Sequence, residues 1–344
     1  MSKFATAVIV LVGLSVPTVG TFAEDAPEIP LVSPPSSDGV LSPGEWAKGL
    51  HVTEYRQFQP QEGLVPQGLR TEAWIGRTET ALCFAVRAYH DQMGRLVTAA
   101  KEHDGPAWTD DSVEIFIDAQ KAEFSYYHLI VTAAGIVYDA FNDGPGQAVV
   151  PWDSGARAAT QLLPDGFSLE VAVPLAVLNL GTNTSGGIGL NLGRVVPYNH
   201  SQQTTFGQFH NPSSWKAFRL PATGPKLWPV AAKPFKFGAV VGANQATGEV
   251  RNLTDQPLAL GGEAVIEQQG KRQTRPVSLK LAPRGKARVA IPYTLSNKGS
   301  AQFRLVWRNA ARREVFAVFE TIQPRAPRPV FVLPTRWPLP RWEE

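Results

Sequence analysis

The sequence predicts an all-β protein built from two antiparallel β-sandwiches. Its 344 residues include 30 glycines and 29 prolines, which favours many turns and short strands over long helices. Short runs of alternating polarity recur between these turn residues, and no long stretch has the pattern of an amphipathic helix capped at both ends. Hydrophobic residues make up 43% of the chain and charged residues 18%, which is typical of globular domains, and the length favours two of them.

Short alternating strands are predicted throughout a first domain at 38–221. They lie near 71–76, 82–88, 112–117, 127–132, 136–141, 156–163, 167–174 and 189–196, with a closing strand at 217–220. A helical turn is predicted at 175–178, between a strand and a glycine-rich loop. Trp46 is expected to be buried at one end of the sandwich, and Cys83, the only cysteine, is expected to be a small core residue.

The strand at 112–118 has one ordinary face and one unusual face. Val113, Ile115 and Ile117 point to one side and predict a core face, whereas Ser112, Glu114, Phe116 and Asp118 point to the other. Trp108 precedes the strand on a loop, where a tryptophan beside acids is more often exposed than buried. Aromatic rings stack on the apolar faces of sugars and carboxylates accept hydrogen bonds from sugar hydroxyls, so this face suits a sugar. A half-buried strand whose acids simply face water has the same pattern.

A second domain is predicted at 235–322, after a proline-rich linker at 222–234 and before a Pro/Arg-rich tail at 323–344. Alternating strands near 264–268, 287–293, 302–308 and 315–321 predict an immunoglobulin-like sandwich. Residues 24–229 contain 13 Lys and Arg against 22 Asp and Glu, whereas residues 230–344 contain 19 against 8. The basic half suits an anionic cell-surface polymer, although a basic sandwich face is usually just solvated. No nucleic-acid partner is predicted.

The N-terminus has the pattern of an export signal. Lys3 supplies a positive charge, residues 5–16 form an apolar run too short to span a bilayer, and 21–23 form a small-x-small cleavage site. The prediction is a signal peptide at 1–23, a linker at 24–37 and a periplasmic, cell-surface or extracellular protein, with a retained anchor as the alternative. No cysteine follows the signal and no second apolar run reaches membrane-spanning length, so no lipid-anchored cysteine and no other membrane span are expected.

Several ordered segments resemble carbohydrate-binding modules of family 9. They are 38–46 (DGVLSPGEW), 108–118 (WTDDSVEIFID), 126–132 with Gly135, 166–174 (GFSLEVAVP), 189–194 and 211–220. The resemblance covers about 36–221. It implies an antiparallel β-sandwich that holds the end of a sugar chain between two aromatic rings.

The resemblance also implies roles for individual residues. Trp108 stands at the position of the first clamp ring, and Phe209 stands at the second, where the family has tryptophan. Glu114 matches a carboxylate that contacts sugar hydroxyls. The family's arginine and asparagine on the following strand fall on Ile130 and Thr132.

Two further residues complete the predicted ligand-binding set. Phe116 is expected either at the floor of the site or in packing on the second face of its strand. Asp111 is expected to satisfy loop N–H groups. Asp111 or Asp110 could also help to hold Ca²⁺ with loop carbonyls, but the run of oxygen ligands is too short to identify a site. No other cofactor is predicted.

The residues favour a binding protein over an enzyme. Glu114 and Asp118 lie four residues apart on one strand, ~13 Å at the strand rise, which is too far for a pair of glycosidase carboxylates. No nucleophile triad, phosphate loop or His/Cys metal spacing is present in the sequence.

Three alternatives stay open. The chain could be an interaction or scaffold protein that keeps the sandwich but has lost the sugar site, which Ile130 and Thr132 favour. It could be an accessory subunit of a glycoside hydrolase. It could also be a haem-binding sandwich with Met93, His90 or His128 as axial ligands.

Overall fold

The computed structural model describes residues 26–144, 149–183 and 185–327. The predicted signal peptide, residues 24 and 25 of the predicted linker, and the tail from 328 onward lie outside the described residues. No helix in the described part of the chain is long and apolar enough to cross a membrane. Helical structure there is limited to three-residue 3₁₀ turns at Gln67–Leu69, Met93–Arg95, Ala107–Thr109, Leu175–Val177, Leu180–Thr182, Pro197–Asn199 and Pro212–Ser214. The all-β prediction is confirmed.

The strands of the first domain precede residue 220. They are β1 (Leu50–Val52), β2 (Arg56–Gln59), β3 (Gly63–Leu64), β4 (Thr71–Arg77), β5 (Ala81–Tyr89), β6 (Ser112–Asp118), β7 (Tyr126–Thr132), β8 (Val137–Asn142), β9 (Val149–Pro151), β10 (Arg157–Leu163), β11 (Gly166–Pro174), β12 (Gly187–Val196), β13 (Ser201–Thr204) and β14 (Lys216–Arg219). Each strand predicted in this domain is found, within two residues at either end.

Two antiparallel sheets form the first domain. One has the order β1-β4-β5-β11-β10, and the other has the order β3-β2-β13-β12-β6-β7-β8-β9, with β14 also pairing with β12. The alternating apolar side chains of both sheets meet between them, because successive residues of a strand point to opposite faces. The predicted core residues Val113, Ile115 and Ile117 are fully buried in this layer.

The N-terminal segment closes one end of the sandwich. Trp46 is 6% exposed, and its indole Nε1–H donates to Glu170 Oε1 on β11 at 3.0 Å. The backbone N–H groups of Asp38 and Gly39 donate to Glu170 Oε2 at 3.0 and 3.2 Å. Gly39 has φ +82°, and a Cβ there would meet the Thr160 backbone at 2.7 Å. Glycine is therefore required where this segment crosses β10.

A second β domain follows. Its strands are β15 (Val230–Ala232), β16 (Lys236–Phe237), β17 (Gly242–Asn252), β18 (Leu258–Gln268), β19 (Lys271–Leu281), β20 (Lys286–Leu295), β21 (Ala301–Arg308) and β22 (Glu314–Ile322). In one sheet β15 and β16 pair with β17, which also pairs with β20; the other sheet has the order β19-β18-β21-β22. The two sheets enclose a second core that includes Trp307, Phe303 and Ile266.

The two domains pack directly on each other. Val306 and Ala317 of the second domain belong to the core of the first domain. The backbone of Asp153 forms an antiparallel bridge with Phe319 on β22. The segment predicted as a linker contains β15 and the buried Trp228, whose Nε1–H donates to Ala222 O at 2.6 Å. The connection between the domains is therefore structured and contributes to their contact.

Candidate functional site

The unusual face of β6 lies on the outer side of the larger sheet, where strand register sets its neighbours. Glu114 pairs with Gly193 on β12 and with Ile130 on β7, and Ile130 pairs in turn with Tyr138 on β8. In the next row of the same face, Phe116 lies between Asn191 and His128. We call the surface around Glu114, Phe116, His128, Tyr138 and the overlying Phe209 the site face.

Trp108 stands at the edge of the site face and is 53% exposed. The ring lies in the 3₁₀ turn Ala107–Thr109, and its edge contacts Tyr138 with centroids 5.5 Å apart at 83°. Such an edge-to-face contact orients the indole while leaving much of its surface open. The predicted exposed aromatic is thus held at the rim by a tyrosine of the same face.

Two aspartates hold the loop that leads to Trp108. The carboxylate of Asp110 accepts from the backbone N–H groups of Ala99 and Ala100, each at 3.0 Å. The carboxylate of Asp111 accepts from Val97 N–H at 2.8 Å, and its other oxygen lies 3.5 Å from His90 Nε2. Asp111 is fully buried, and burial raises the pKa of its carboxyl to about 6. The structure therefore places Asp111 behind the loop as a support, with no surface for a ligand.

Glu114 forms a buried pair with a histidine. Its Oε2 lies 2.7 Å from His128 Nε2, and the residue is 4% exposed. The imidazole of His128 also stacks on Phe116, with centroids 4.4 Å apart at 8°. The other carboxylate oxygen of Glu114 accepts no hydrogen bond from the described residues. Since a carboxylate has several acceptor sites, Glu114 retains capacity for a further donor.

His210 extends this polar cluster toward solvent. Its Nδ1 lies 2.8 Å from the Tyr126 hydroxyl, and its ring contacts His128 edge-on at 5.1 Å. Burial, and then the neighbouring His128, lower the pKa of His210, so the ring is neutral at neutral pH. One ligand-type atom each of Glu114, His128 and His210 lie within 4.8 Å of one another. The cluster could hold a metal ion or the hydroxyls of a polar ligand.

Phe209 lies over β12 beside the Glu114 pair. A Cβ at Gly193 would overlap the Phe209 ring, so a glycine is needed beneath it. The ring is half-buried and contacts Phe116 at 5.3 Å and Phe58 at 6.3 Å between centroids. Phe116 itself is fully buried, in a cluster with Tyr126 and Trp215. Phe116 therefore supports Phe209 and His128 from below and presents no surface of its own.

A family model for carbohydrate family 9 binding domain-like proteins matches residues 39–218, which is more than half of the chain. The chain belongs to this family. The family model describes a carbohydrate-binding domain, and it covers every residue of the site face and its rim. A search among curated proteins found no significant match.

Two solved structures illustrate the range of similarity. A family 9 carbohydrate-binding module from Caldicellulosiruptor kristjanssonii in complex with cellotriose is 18% identical, with a TM-score of 0.41, over 57% of this chain and 93% of that one. A β-glucuronidase from Bacteroides uniformis is 10% identical, with a TM-score of 0.25, over 80% of this chain but only 32% of the enzyme.

In this family 9 domain, the structure brings Trp108, Glu114 and Phe209 to one face and adds residues that the sequence interpretation did not place there. His128, His210 and Tyr138 complete the face. Ile130 and Thr132, which replace the family's polar residues, are buried. The signal for His128 was its spacing, because a residue two positions before Ile130 on a strand lies on the same face.

Asp118, considered for a glycosidase pair, and His90, considered as a haem ligand, both form hydrogen bonds with the backbone. Asp118 accepts from the backbone N–H groups of Gln120, Ala122 and Glu123 at 2.7–3.2 Å and so holds the turn after β6. His90 is buried, and its Nδ1 accepts from Gln92 N–H at 3.2 Å. Neither the hypothesis of a carboxylate pair nor that of axial haem ligation gains support from these contacts.

Proposed function

We propose that this protein is an exported, non-catalytic carbohydrate-binding protein whose ligand is an oligosaccharide or polysaccharide chain on the site face. The observation that carries the proposal is the half-exposed ring of Trp108 at the rim of a face that also contains a carboxylate with an unused acceptor. A pyranose needs both, an apolar ring to stack on and acceptors for its hydroxyls.

The residues at the site face and its rim then have different roles in sugar binding. Trp108 stacks on the sugar and Phe209 contributes a second ring, while Phe116 keeps Phe209 and His128 in place. Glu114 accepts from a sugar hydroxyl, and the neutral His210 offers one acceptor or donor at the solvent side. One or two stacked rings contribute about 0.5–1.5 kcal/mol each beyond buried area, which fits micromolar to millimolar affinity.

The second candidate function is an interaction or scaffold protein that keeps the sandwich without sugar binding. Two observations favour it. Ile130 supplies no polar group where the family has arginine, and the Thr132 hydroxyl, where the family has asparagine, is buried and accepts from Ile136 N–H at 3.1 Å. Phe58 also packs against the ring of Phe209, which reduces the surface available for stacking.

Isothermal titration of the full chain with cello- and xylo-oligosaccharides, cellotriose among them, separates the two functions, and a glycan array extends the search to other sugars. Saturable binding that is lost in Trp108→Ala supports the carbohydrate-binding function. Absence of binding across the panel and the array supports the scaffold function.

N-terminal sequencing of the exported protein tests the signal peptide, since cleavage is expected after Ala23.

We further propose that the second domain is an immunoglobulin-like docking module for an anionic cell-surface polymer. Supporting this, β15/β16, β17 and β20 face β19, β18, β21 and β22 across one core. The edge strand β19 also carries four exposed basic side chains on its two faces, Lys271, Arg272, Arg275 and Lys280. Retention on an anionic polymer should fall steeply as salt rises, and salt-insensitive retention would count against this role.

A further inference from the structure

A second polar cluster lies where the two domains meet, on the opposite side of β8 from Tyr138. Nε2 of His103 is 3.6 Å from Asp104 Oδ2, 3.6 Å from Asp139 Oδ1 and 3.8 Å from Asp153 Oδ2. The backbone of Asp153 pairs with the backbone of Phe319 on β22. Glu320 is the next residue of that strand. We call His103, Asp104, Asp139 and Asp153 the junction cluster.

Local structure restrains the aspartates of the junction cluster. Asp104 has φ +61°, and its N–H donates to Val137 O at 3.0 Å, which ties the loop to β8. Asp139 is 4% exposed, and its Oδ2 accepts from Ser154 N–H at 2.9 Å and from the Ser154 hydroxyl. The Asp104 backbone and the Asp139 carboxylate are therefore held close to each other.

Two atoms at the centre of the cluster are buried without any hydrogen bond, Asp139 Oδ1 and His103 Nε2. A buried polar atom without a partner costs about 1–3 kcal/mol, and native structures contain few. No lysine or arginine of the described residues forms an ion pair with these carboxylates. The cluster thus holds three carboxylates around one imidazole, with no lysine or arginine of the described residues among them.

We propose that the junction cluster binds a divalent transition-metal ion of the zinc type. The ligands are His103 Nε2, Asp139 Oδ1 and a carboxylate oxygen of Asp104, which lie within 4.8 Å of one another, and the Asp153 carboxylate lies beside them. Bonds of about 2.0–2.2 Å in tetrahedral geometry place ligand atoms about 3.3–3.6 Å apart, and His103 Nε2 lies 3.6 Å from both Asp104 Oδ2 and Asp139 Oδ1. One imidazole among carboxylates favours zinc over calcium, because Ca²⁺ takes oxygen ligands only.

Metal binding at this position would join the loop that leads to Trp108 to β8, next to the contact with the second domain. His103 and Asp104 lie on the loop that continues to Trp108, Asp139 lies on β8, and Asp153 contacts the second domain. The proposal does not depend on sugar binding. The Glu114–His128–His210 cluster has similar metal-ligating atoms. However, Glu114 and His128 already bond to each other, and none of the ligating atoms in that cluster is buried without a hydrogen-bond partner.

The test is isothermal titration of the EDTA-treated full chain with ZnCl₂, with MnCl₂ and CaCl₂ in parallel. One equivalent of Zn²⁺ should bind with a dissociation constant in the micromolar range or below, and the melting temperature should rise. Asp139→Asn and His103→Ala should each weaken Zn²⁺ binding at least about tenfold. His128→Ala, which alters the other cluster, is the matched control and should bind Zn²⁺ like the unmodified chain.

Three results would overturn the proposal: no saturable Zn²⁺ binding, loss of binding in His128→Ala but not in His103→Ala, or tighter binding of Ca²⁺ than of Zn²⁺. If Asp139→Asn fails to fold, the test rests on His103→Ala, since the His103 side chain is 29% exposed. Failure of the oligosaccharide titration would leave the metal result unaffected, so the two proposals fail separately.

Discussion

Trp108 is the residue on which carbohydrate binding depends most directly. Trp108→Ala should lower the affinity for an oligosaccharide at least about tenfold, to below detection for a weak ligand, because a stacking ring is removed. The melting temperature should change little, since exposed side chains away from buried networks contribute about 0.5 kcal/mol or less to stability. Calorimetric titration and thermal unfolding measure the two effects.

A matched control for Trp108 is Leu162, which is equally exposed but lies on β10 of the other sheet. Leu162→Ala should change neither the affinity nor the stability. A large loss of stability in Trp108→Ala would instead identify the indole as a packing residue and contradict its role as a stacking ring.

The buried hydrogen bond between Glu114 and His128 is expected to contribute to the stability of the fold as well as to the site. Glu114→Ala should lower the free energy of unfolding by about 1–3 kcal/mol, because the His128 ring N–H is left buried without an acceptor. His128→Ala should also destabilise, and the double variant should lose less than the sum of the single variants. Urea denaturation of the four proteins measures the coupling. Strictly additive losses would mean that the two side chains act independently.

The contact between the N-terminal segment and β11 depends on one carboxylate. Glu170→Ala would leave three donors without their acceptor, the Trp46 indole and the N–H groups of Asp38 and Gly39. Several kcal/mol should be lost, at about 1–3 kcal/mol for each buried unpaired donor. Glu170→Gln keeps an acceptor oxygen and should cost less. Equal unfolding midpoints in denaturant for Glu170→Ala and the unmodified chain would contradict this account.

Strand prediction succeeded where one face of a strand is buried and failed where it is not. β6, β7 and β11 are packed in the first core, so their apolar residues recur every second position and mark them clearly. The long strands β17 and β19 were missed. β19 is an edge strand with mostly exposed, basic residues and a proline, and β17 contains glycine and asparagine, so neither carries a strong apolar alternation.

The residues of the site could be predicted only in part, because local motifs do not report contacts between distant parts of the chain. Trp108, Glu114 and Phe209 could be inferred because they lie in or near motifs that the family shares. The contact of His210 with His128 could not, because the two residues are 82 positions apart and meet only through strand register and a loop. The burial of Asp111 and Phe116 is likewise a property of packing, which local spacing does not report.

The junction of the two domains should respond to pH. Burial, and then Asp153, Asp104 and Asp139, raise the pKa of Glu320 from its ordinary 4.5 to about 8. The folded state therefore favours the protonated form, so the stability contributed by this group is complete below about pH 4.5 and is lost as pH rises through about 8. Glu320→Gln should be more stable than the unmodified chain at pH 8, and the difference should shrink toward pH 4.5.

Thermal unfolding between pH 4.5 and 9 in EDTA-containing buffer measures this difference, with about 2–4 °C expected for each kcal/mol in domains of this size. Glu267→Gln, on the exposed side of β18, is the control and should follow the unmodified chain at every pH. Parallel curves for Glu320→Gln and the unmodified chain would show that the junction carboxylates do not repel one another in the folded state.

The sequence by itself determined the all-β class, most strands of the first domain and the core side of β6, and its motifs predicted Trp108, Glu114 and Phe209 as site residues. These follow from period-two alternation, turn residues and short motifs, which are local properties of the chain. Only the tertiary structure decided that Glu114 pairs with His128, that Asp111 and Phe116 are buried, and that four acidic or imidazole side chains meet where the domains touch. Those outcomes depend on register between strands and on contact between sheets, which bring together residues that are remote along the chain.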